Sequence, residues 1–346
     1  MNKITKIFAV MLSSALVSLS AVAGELSVTG GATATYKIGG AADNAGKGIG
    51  VSNELDFNAN GELDNGFTWK WQTQLDNATT VNDDSRLEVG TPYGTLGFYV
   101  SENDISTKLG YGIGAMGVGS DYTGPATVEF GATMNSYNNI GISSPAGLLP
   151  FGMTVKAAYA PHLSDQAGNS AKADGTVGTG VGHNATAFAV HATPMDGLKV
   201  GADYHMVSGG PTTTRYAQES GGVYTKYTTG PFAVGLARAM YQPRDAFSAA
   251  GSVHYVTDMY GIQFAVNDAL SISYSEEKSA RGVSSTTTGA GVKTASSEIE
   301  MDITHVQASY VAGGATLGLA VADADNSDYT RGRVEKTTTL SIAMAF

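Results

Sequence analysis

The sequence has no cysteine among its 346 residues, only two tryptophans, and no long apolar run beyond residue 19. The lack of cysteine excludes disulfides, structural zinc bound through thiolates, and a cysteine nucleophile. Because no later segment approaches the ~20 apolar residues of a membrane-spanning helix, no such helix is expected in the rest of the chain. Stability must then come from a large sheet or core.

Basic residues are also scarce, since 20 Lys and Arg stand against 31 Asp and Glu, a net charge of -11. Nucleic-acid binding needs a basic footprint, so nucleic acid is not an expected partner. An acidic chain instead attracts cations. The mean hydropathy of -0.05 is too polar for a bundle of membrane helices, yet it leaves enough apolar residues for one face of a sheet.

Residues 1–23 have the pattern of a secretory signal peptide. Lys3 and Lys6 give the positive start, an apolar stretch follows, and a small-x-small cleavage site ends at Ala23. We therefore expect a cleaved signal peptide over 1–23 and a single domain over 24–346. A retained anchor is the alternative, but the apolar stretch from Ile7 to Leu19 falls short of the ~20 residues that a span needs.

The end of the chain alternates between apolar and small or polar residues. The apolar positions are Leu340, Ile342, Met344 and Phe346. This period of two predicts a β-strand with one apolar face. The same alternation recurs along the chain, as between Leu26 and Ile38, and apolar residues at helical spacing are missing there. A strand of an ordinary sandwich is the alternative interpretation of the last segment.

The predicted connections alternate between long and short. Tight turns rich in Gly, Pro, Asn and Asp favour hairpins. Eight long and seven short connections separate sixteen strands, which predicts an all-β, antiparallel transmembrane barrel with short turns at one end and long loops at the other. The long connections lie near 39–49, 76–82, 101–136, 161–182, 208–221, 242–249, 276–297 and 323–333, and the short ones at 63–66, 91–94, 145–150, 194–197, 228–231, 267–269 and 312–315. The alternation is weakest near 215–230 and 250–266. A barrel of about sixteen strands leaves a water channel.

Three segments carry a resemblance to a known family. They are the strand–turn–strand from Arg86 to Tyr99, the segment from Asn138 to Pro145, and the hairpin from Phe151 to Tyr159. With the signal peptide and the terminal Phe346, the chain resembles the sixteen-stranded general diffusion porins of Gram-negative outer membranes. The resemblance implies that the third loop, near 101–137, folds into the barrel and narrows it. That loop does not match the family residue by residue.

The resemblance also implies a site in which acidic loop residues face basic residues of the barrel wall. The candidate loop residues are Glu102, Asp104, Asp121 and Glu129. The candidate wall residues are Lys70, Arg86, Lys156 and Lys199, which alternate with the predicted lipid face and should point inward. A Lys or Arg facing lipid at the bilayer midplane would cost roughly 2–4 kcal/mol. Solvation at a strand end is the alternative for each base. Leu340, Ile342, Met344 and Phe346 are the candidate closure and assembly signal.

The function implied by the resemblance is passive diffusion of ions and small hydrophilic solutes across the cell outer membrane, without a cofactor. The acidic charge balance predicts a mild preference for cations. The implied partners are outer-membrane lipid and lipopolysaccharide, the barrel assembly machinery, and two further copies in a homotrimer. No metal site is expected, although the outer-loop carboxylates Asp83-Asp84, Glu276-Glu277 and Asp323 to Asp328 could bind Ca²⁺ through oxygen ligands.

Three alternatives remain open. The barrel could be a channel specific for one solute, an adhesin, or a hydrolase. The nearest approach to a catalytic set is His205 close to Asp203 on a predicted strand, but no nucleophile is identifiable. Gly112 to Gly117 matches the dinucleotide-binding pattern, but no βαβ unit surrounds it. We therefore expect no enzyme activity.

Overall fold

The computed structural model describes residues 25–39, 47–76, 84–106, 110–117, 128–131, 133–161, 184–208, 217–243, 251–284 and 297–346. The predicted signal peptide and two candidate residues, Asp83 and Asp121, lie outside these ranges. Within them, no helix has the length and apolar character needed to cross a membrane.

The described residues form sixteen strands, each paired antiparallel with its chain neighbours, and the first strand pairs with the last. The sheet is thus a closed barrel, which confirms the predicted fold class. Short 3₁₀ turns lie at Met134–Ser136, Pro150–Gly152 and Ser327–Tyr329. The strands are β1 (Glu25–Gly39), β2 (Lys47–Glu62), β3 (Thr68–Asp76), β4 (Ser85–Thr91), β5 (Gly94–Val100), β6 (Asn139–Ser143), β7 (Thr154–Ala160), β8 (Ala185–Met195), β9 (Leu198–Val207), β10 (Gln218–Thr229), β11 (Phe232–Gln242), β12 (Gly251–Ala265), β13 (Leu270–Ser284), β14 (Ser297–Ala312), β15 (Ala315–Asp325) and β16 (Val334–Ala345).

The barrel closes through the last residue of the chain. The backbone N–H groups of Phe346 and Gly30 each donate to the other's carbonyl oxygen at 2.9 Å, and pairing continues from there along β1 and β16. A Cβ atom on Gly30 would lie 2.5 Å from the Glu54 carbonyl oxygen and 3.1 Å from the Phe346 ring. The closing seam therefore requires glycine at this position.

The outward face of β11–β16 is apolar near the short turns and charged nearer the long loops. Its exposed apolar side chains include Phe232, Val234, Leu236, Leu317, Leu319 and Leu340. Nearer the loops, one register row across β11 to β14 consists of Arg238, Asp258, Lys278 and Asp302. The Arg238 guanidinium donates to both Asp258 carboxylate oxygens, at 2.6 and 2.7 Å. Because charges are costly in hydrocarbon, this row marks the edge of the apolar band on the side of the long loops.

Several predicted loop boundaries were wrong. The connection predicted at 276–297 is shorter, because β13 continues to Ser284. The polar run that suggested a loop is satisfied within the strand: Glu276 pairs with Lys278 on the outward face at 3.0 Å, while Glu277 points inward and is buried. Glu276 and Glu277 therefore do not converge on one ligand. Likewise, β10 begins at Gln218 rather than after 221, and β15 continues to Asp325.

The weakly patterned segments near 215–230 and 250–266 do form strands, β10 and β12.

Of the other loop carboxylates, Asp323 accepts a hydrogen bond from Lys336, and an Asp328 oxygen lies 3.6 Å from an Arg333 nitrogen. In the ranges that the structure describes, no group of three or more His, Asp or Glu residues could hold a metal ion.

Candidate functional site

Four of the candidate residues line one polar cavity inside the barrel. The cavity has a volume of about 260 Å³, and it lies where β4 to β7 meet the start of the third loop. Its lining comprises Arg86, Glu88, Tyr99, Glu102, Asn103, Asp104, Gly141, Ile142, Ser143 and Lys156. The structure thus brings Arg86 and Lys156 of the wall together with Glu102 and Asp104 of the loop.

Arg86 and Glu102 form a direct ion pair in this cavity. The Arg86 Nη1 atom donates to the Glu102 Oε2 atom at 3.2 Å, and their side chains are 38% and 17% exposed. Burial raises the pKa of Glu102 above its usual value, although the nearby Arg86 charge lowers it. The pair leaves Arg86 locally neutralised, so the two charges do not face each other across an open gap.

The loop turns inward through a strained and hydrogen-bonded start. Ser101 and Asn103 have positive φ angles of 56° and 75°, a left-handed conformation that few residues adopt. The Asn139 side-chain amide holds this turn by donating to the Glu102 carbonyl oxygen at 2.9 Å, and its own oxygen accepts from Asn103 Nδ2 at 2.8 Å. A Cβ atom on Gly141 would lie 2.6 Å from that Asn103 nitrogen, so glycine makes room for the turn.

Residues 110–117, which we call the inner segment, run along the inner wall of the barrel from β10 to β15. The segment starts against the Tyr224 ring of β10 and ends with Met116 against Gly318 of β15. Between these ends, its backbone amides donate to polar side chains of the wall: Ala115 to Ser273 Oγ at 2.8 Å and Met116 to Gln307 Oε1 at 3.0 Å. The segment therefore lies inside the barrel and narrows the lumen.

Two apolar side chains anchor the inner segment. Tyr111 and Ile113 are both fully buried. Glycines on the inner faces of β11 and β12 provide the space, since a Cβ atom on Gly235 or Gly261 would lie 2.7 Å from Ile113. The Tyr111 hydroxyl donates to the buried Glu277 at 3.4 Å. Packing and hydrogen bonding together hold the segment against the wall.

The remaining candidate residues lie elsewhere. Lys70 is the register partner of Glu88, on the inner face of β3. Lys199 is on the inner face of β9, opposite Lys226. Glu129 lies near β14 and β15, where its backbone N–H donates to the Tyr329 hydroxyl at 3.3 Å, so it does not join the cavity.

The terminal candidates are confined to the last strand. Leu340, Ile342 and Met344 point outward from β16 with Phe346 and are exposed. They occupy the apolar band beside the closing seam, far from the cavity.

Several residues of this interior were not anticipated. Tyr99 lines the cavity and donates to Glu88 at 2.9 Å. Lys226 donates to the Gly112 carbonyl oxygen at 2.6 Å and so supports the inner segment. Alternation along β4, β5 and β10 could have placed these three side chains inward, but the pattern does not show which of them contact the loop.

His205 is not exposed to the lumen. Its ring is 4% exposed and stacks on Tyr137 of the third loop, with centroids 6.4 Å apart. Asp203 and Ser220 are near it, and Ser220 is its register partner. A solute in the lumen would not reach the imidazole in this arrangement.

A closed sixteen-stranded barrel with a loop segment folded against its inner wall is the architecture of the outer-membrane porins. Solved structures with this fold cover this chain nearly completely. OmpT of Vibrio cholerae aligns with a TM-score of 0.68 and 13% identity, covering 95% of this chain and 100% of its own. The anion-selective porin of Comamonas acidovorans gives 0.65 and 14%, with 93% and 100% coverage. OmpF of Salmonella typhi, in complex with daunomycin, gives 0.60 and 12%, with 94% and 100% coverage.

The sequence itself matches no protein-family model and no curated protein. At these low identities the structural likeness establishes the fold. The predicted resemblance to sixteen-stranded porins is therefore confirmed at the level of architecture.

Proposed function

We propose that this protein is a general diffusion porin of the outer membrane, which conducts ions and small hydrophilic solutes passively through a water-filled lumen. The observation that carries the proposal is the charged cavity of about 260 Å³ beside the Arg86–Glu102 pair. A sixteen-stranded barrel is wide enough for an aqueous channel even when a loop lies inside it. Polar and charged inner side chains keep such a lumen hydrated.

The proposed selectivity is a mild preference for cations. The chain is acidic overall, with a net charge of -11. In the cavity, Glu102 offsets Arg86, while Asp104 and Glu88 face Lys156. Charges that line a constriction select ions by sign. Because the described charges nearly balance there, the acidic loops outside the constriction provide the bias.

The proposed assembly is a homotrimer in the outer membrane, in contact with lipid and lipopolysaccharide and inserted by the barrel assembly machinery. The outward apolar band of β11–β16 supports the membrane location. One of the similar solved structures, of OmpT from Vibrio cholerae, is described as a trimer form. Cyclic symmetry with a shared apolar face is a common arrangement for such assemblies.

We propose no catalytic role. The hydrolase alternative depends on His205, and the burial of its ring under Tyr137 argues against turnover of a solute there. Replacing His205 with Asn should therefore leave the transport properties and any background hydrolysis unchanged.

Single-channel recording in planar bilayers tests the proposal. Stable conductance steps, grouped in threes, with a reversal potential of cation-selective sign under a KCl gradient are expected. A reversal potential of the opposite sign would overturn the selectivity. Folded, inserted protein without steady conductance would overturn the porin function and favour the adhesin.

A further inference from the structure

Both ends of the third loop meet at one buried side chain of the wall. Asn139 is the first residue of β6, where the loop rejoins the barrel, and it is 5% exposed. Its amide nitrogen donates to the carbonyl oxygens of Glu102, at the start of the loop, and Tyr137, at its end, both at 2.9 Å. The Met134 carbonyl oxygen lies 3.3 Å from the same nitrogen, and the amide oxygen accepts from Asn103 Nδ2 at 2.8 Å. One side chain thus ties the two ends of the loop together.

This set of contacts requires the chemistry of an asparagine side chain. A carboxamide carries two N–H donors and one acceptor oxygen, and Asn139 uses both kinds of group here. Aspartate has the same shape, but its carboxylate has no donor at neutral pH and would face the carbonyl oxygens of Glu102 and Tyr137. Alanine would remove the donors and the acceptor together. Because lost buried hydrogen bonds and buried unpaired charges are both costly, either substitution should release the ends of the loop.

The start of the loop depends on these bonds because its backbone is strained. Ser101 and Asn103 have φ angles of 56° and 75°, in the left-handed region. Such conformations persist where the surrounding structure holds them. The two residues flank Glu102, whose carboxylate lies 3.2 Å from Arg86. The position of this carboxylate therefore follows from the turn that Asn139 holds.

The middle of the loop is held by other contacts. Tyr111 and Ile113 anchor the inner segment by burial. Further along, the Glu129 backbone N–H donates to the Tyr329 hydroxyl at 3.3 Å. Release at Asn139 should therefore move the two ends of the loop and leave the inner segment in place.

We propose that Asn139 is a positioning residue of the channel, which closes the third loop at its base and thereby fixes Glu102 and Asp104 at the charged cavity. Both carboxylates belong to residues that line the cavity, whereas Asn139 does not line it. It acts on transport through the loop and not through contact with a solute. The inference rests on the proposed porin function.

The reactivity of a single introduced thiol reports the position of the loop start. The chain has no cysteine, so Glu102→Cys provides the one thiol of the protein. Its reaction with a charged methanethiosulfonate reagent should be slow, because the Glu102 side chain is 17% exposed. Adding Asn139→Ala, or the isosteric Asn139→Asp, should raise the reaction rate about tenfold or more, because the hydrogen bonds that hold the turn are lost.

Two matched positions show whether the change is local. Glu88→Cys places the thiol in the same cavity but on strand β4, and Ala115→Cys places it on the inner segment. Both thiols should react at the same rate with and without Asn139→Ala. A rise at all three positions would mean that the barrel loosens as a whole, and it would overturn the positioning role. An unchanged rate at Glu102→Cys in both Asn139 variants would overturn it as well.

Reversal potentials in a KCl gradient show whether the positioning matters for transport. If Asn139 acts through Glu102, the two substitutions are coupled. Glu102→Gln should then change the permeability ratio of K⁺ to Cl⁻ less in the Asn139→Ala background than in wild type. Asn58→Ala is the control background, because Asn58 is on the inner face of β2 and donates to Thr29 of β1 at 3.3 Å. It should leave the effect of Glu102→Gln unchanged.

The outcomes separate the inference from the porin function. Equal effects of Glu102→Gln in wild type and in Asn139→Ala would overturn the positioning role alone. Folded, inserted wild-type protein without KCl conductance would overturn the porin function, and the transport role of Asn139 with it.

Discussion

Removing the Ile113 side chain should loosen the inner segment without unfolding the barrel. The Ile113 side chain of the inner segment is fully buried against the glycines of β11 and β12. Truncation to alanine therefore leaves a cavity where the segment packs on the wall. Loss of a buried Ile or Leu side chain costs about 2–5 kcal/mol. The barrel's own strand ladders are untouched by this change.

The magnitude determines what a recording would show. At about 1.4 kcal/mol for each factor of ten, the ratio of docked to undocked segment should fall by about 30-fold to several thousand-fold. The hydrogen bonds from Ala115 to Ser273 and from Met116 to Gln307 remain, at roughly 1 kcal/mol each. Ile113→Ala should therefore leave the segment docked most of the time and produce brief undocking events.

Single-channel recording at high time resolution is the assay. Ile113→Ala should show excess current noise and short visits to a larger conductance level, and adding Tyr111→Ala should make the larger level predominate. Leu236→Ala is the matched control, because Leu236 is on the same strand wall at β11 but points outward. If Ile113→Ala and Leu236→Ala both give the quiet wild-type current, packing of Ile113 does not hold the segment.

Three further predictions concern charge, closure and the apolar band. Because burial raises the pKa of Glu102, its carboxyl takes up a proton at a higher pH in the folded chain than in the unfolded one, so stability should rise as the pH falls toward 4.5. Over that range Arg86 loses its counter-charge, and the cation preference in reversal-potential measurements should weaken more in wild type than in Glu102→Gln. Phe346→Ser should lower the fraction of heat-modifiable, assembled protein in cells. The purified variant should still fold in detergent, because backbone hydrogen bonds form the seam to Gly30. Unchanged assembly in cells would argue against an assembly signal in the Phe346 ring. Leu319→Arg should destabilise the barrel in vesicles by about 2–4 kcal/mol, as measured by urea titration. Val334→Arg, at the charged end of β16, should destabilise it much less. Equal effects of the two substitutions would contradict the assigned edge of the apolar band.

The barrel could be predicted from the sequence because two local signals agree along the chain. Alternation marks the strands, and Gly, Pro, Asn and Asp mark the tight turns between them. At Gly197, for example, the φ angle is +76°, and a Cβ atom would lie 2.2 Å from the Thr228 carbonyl oxygen, so this turn requires glycine. The prediction was wrong at β13, where charge suggested a loop, because Lys278 pairs with Asp302 of the neighbouring β14 as well as with Glu276, and the local pattern does not contain this cross-strand partner.

The interior could be predicted only in part. Alternation placed Arg86 and Lys156 inward, and the resemblance to porins pointed to the loop acid Glu102. The anchors Tyr111 and Ile113 were missed because a glycine-rich loop has no periodicity. The sequence of β11 does contain a signal for the anchors, because all of its inward residues except the last have small side chains. An inner face of small side chains predicts that another segment of the chain packs against it. Those positions are Ala233, Gly235, Ala237, Ala239 and Tyr241.

Swelling of proteoliposomes in uncharged sugars of graded size tests the central proposal of an open, passive channel most directly. Vesicles containing the protein should swell in small sugars at rates that fall with sugar size, with no saturation as the sugar concentration rises. Vesicles with fully folded, inserted protein that swell no faster than empty vesicles would contradict an open lumen, and the inner segment would then have to seal the barrel rather than narrow it.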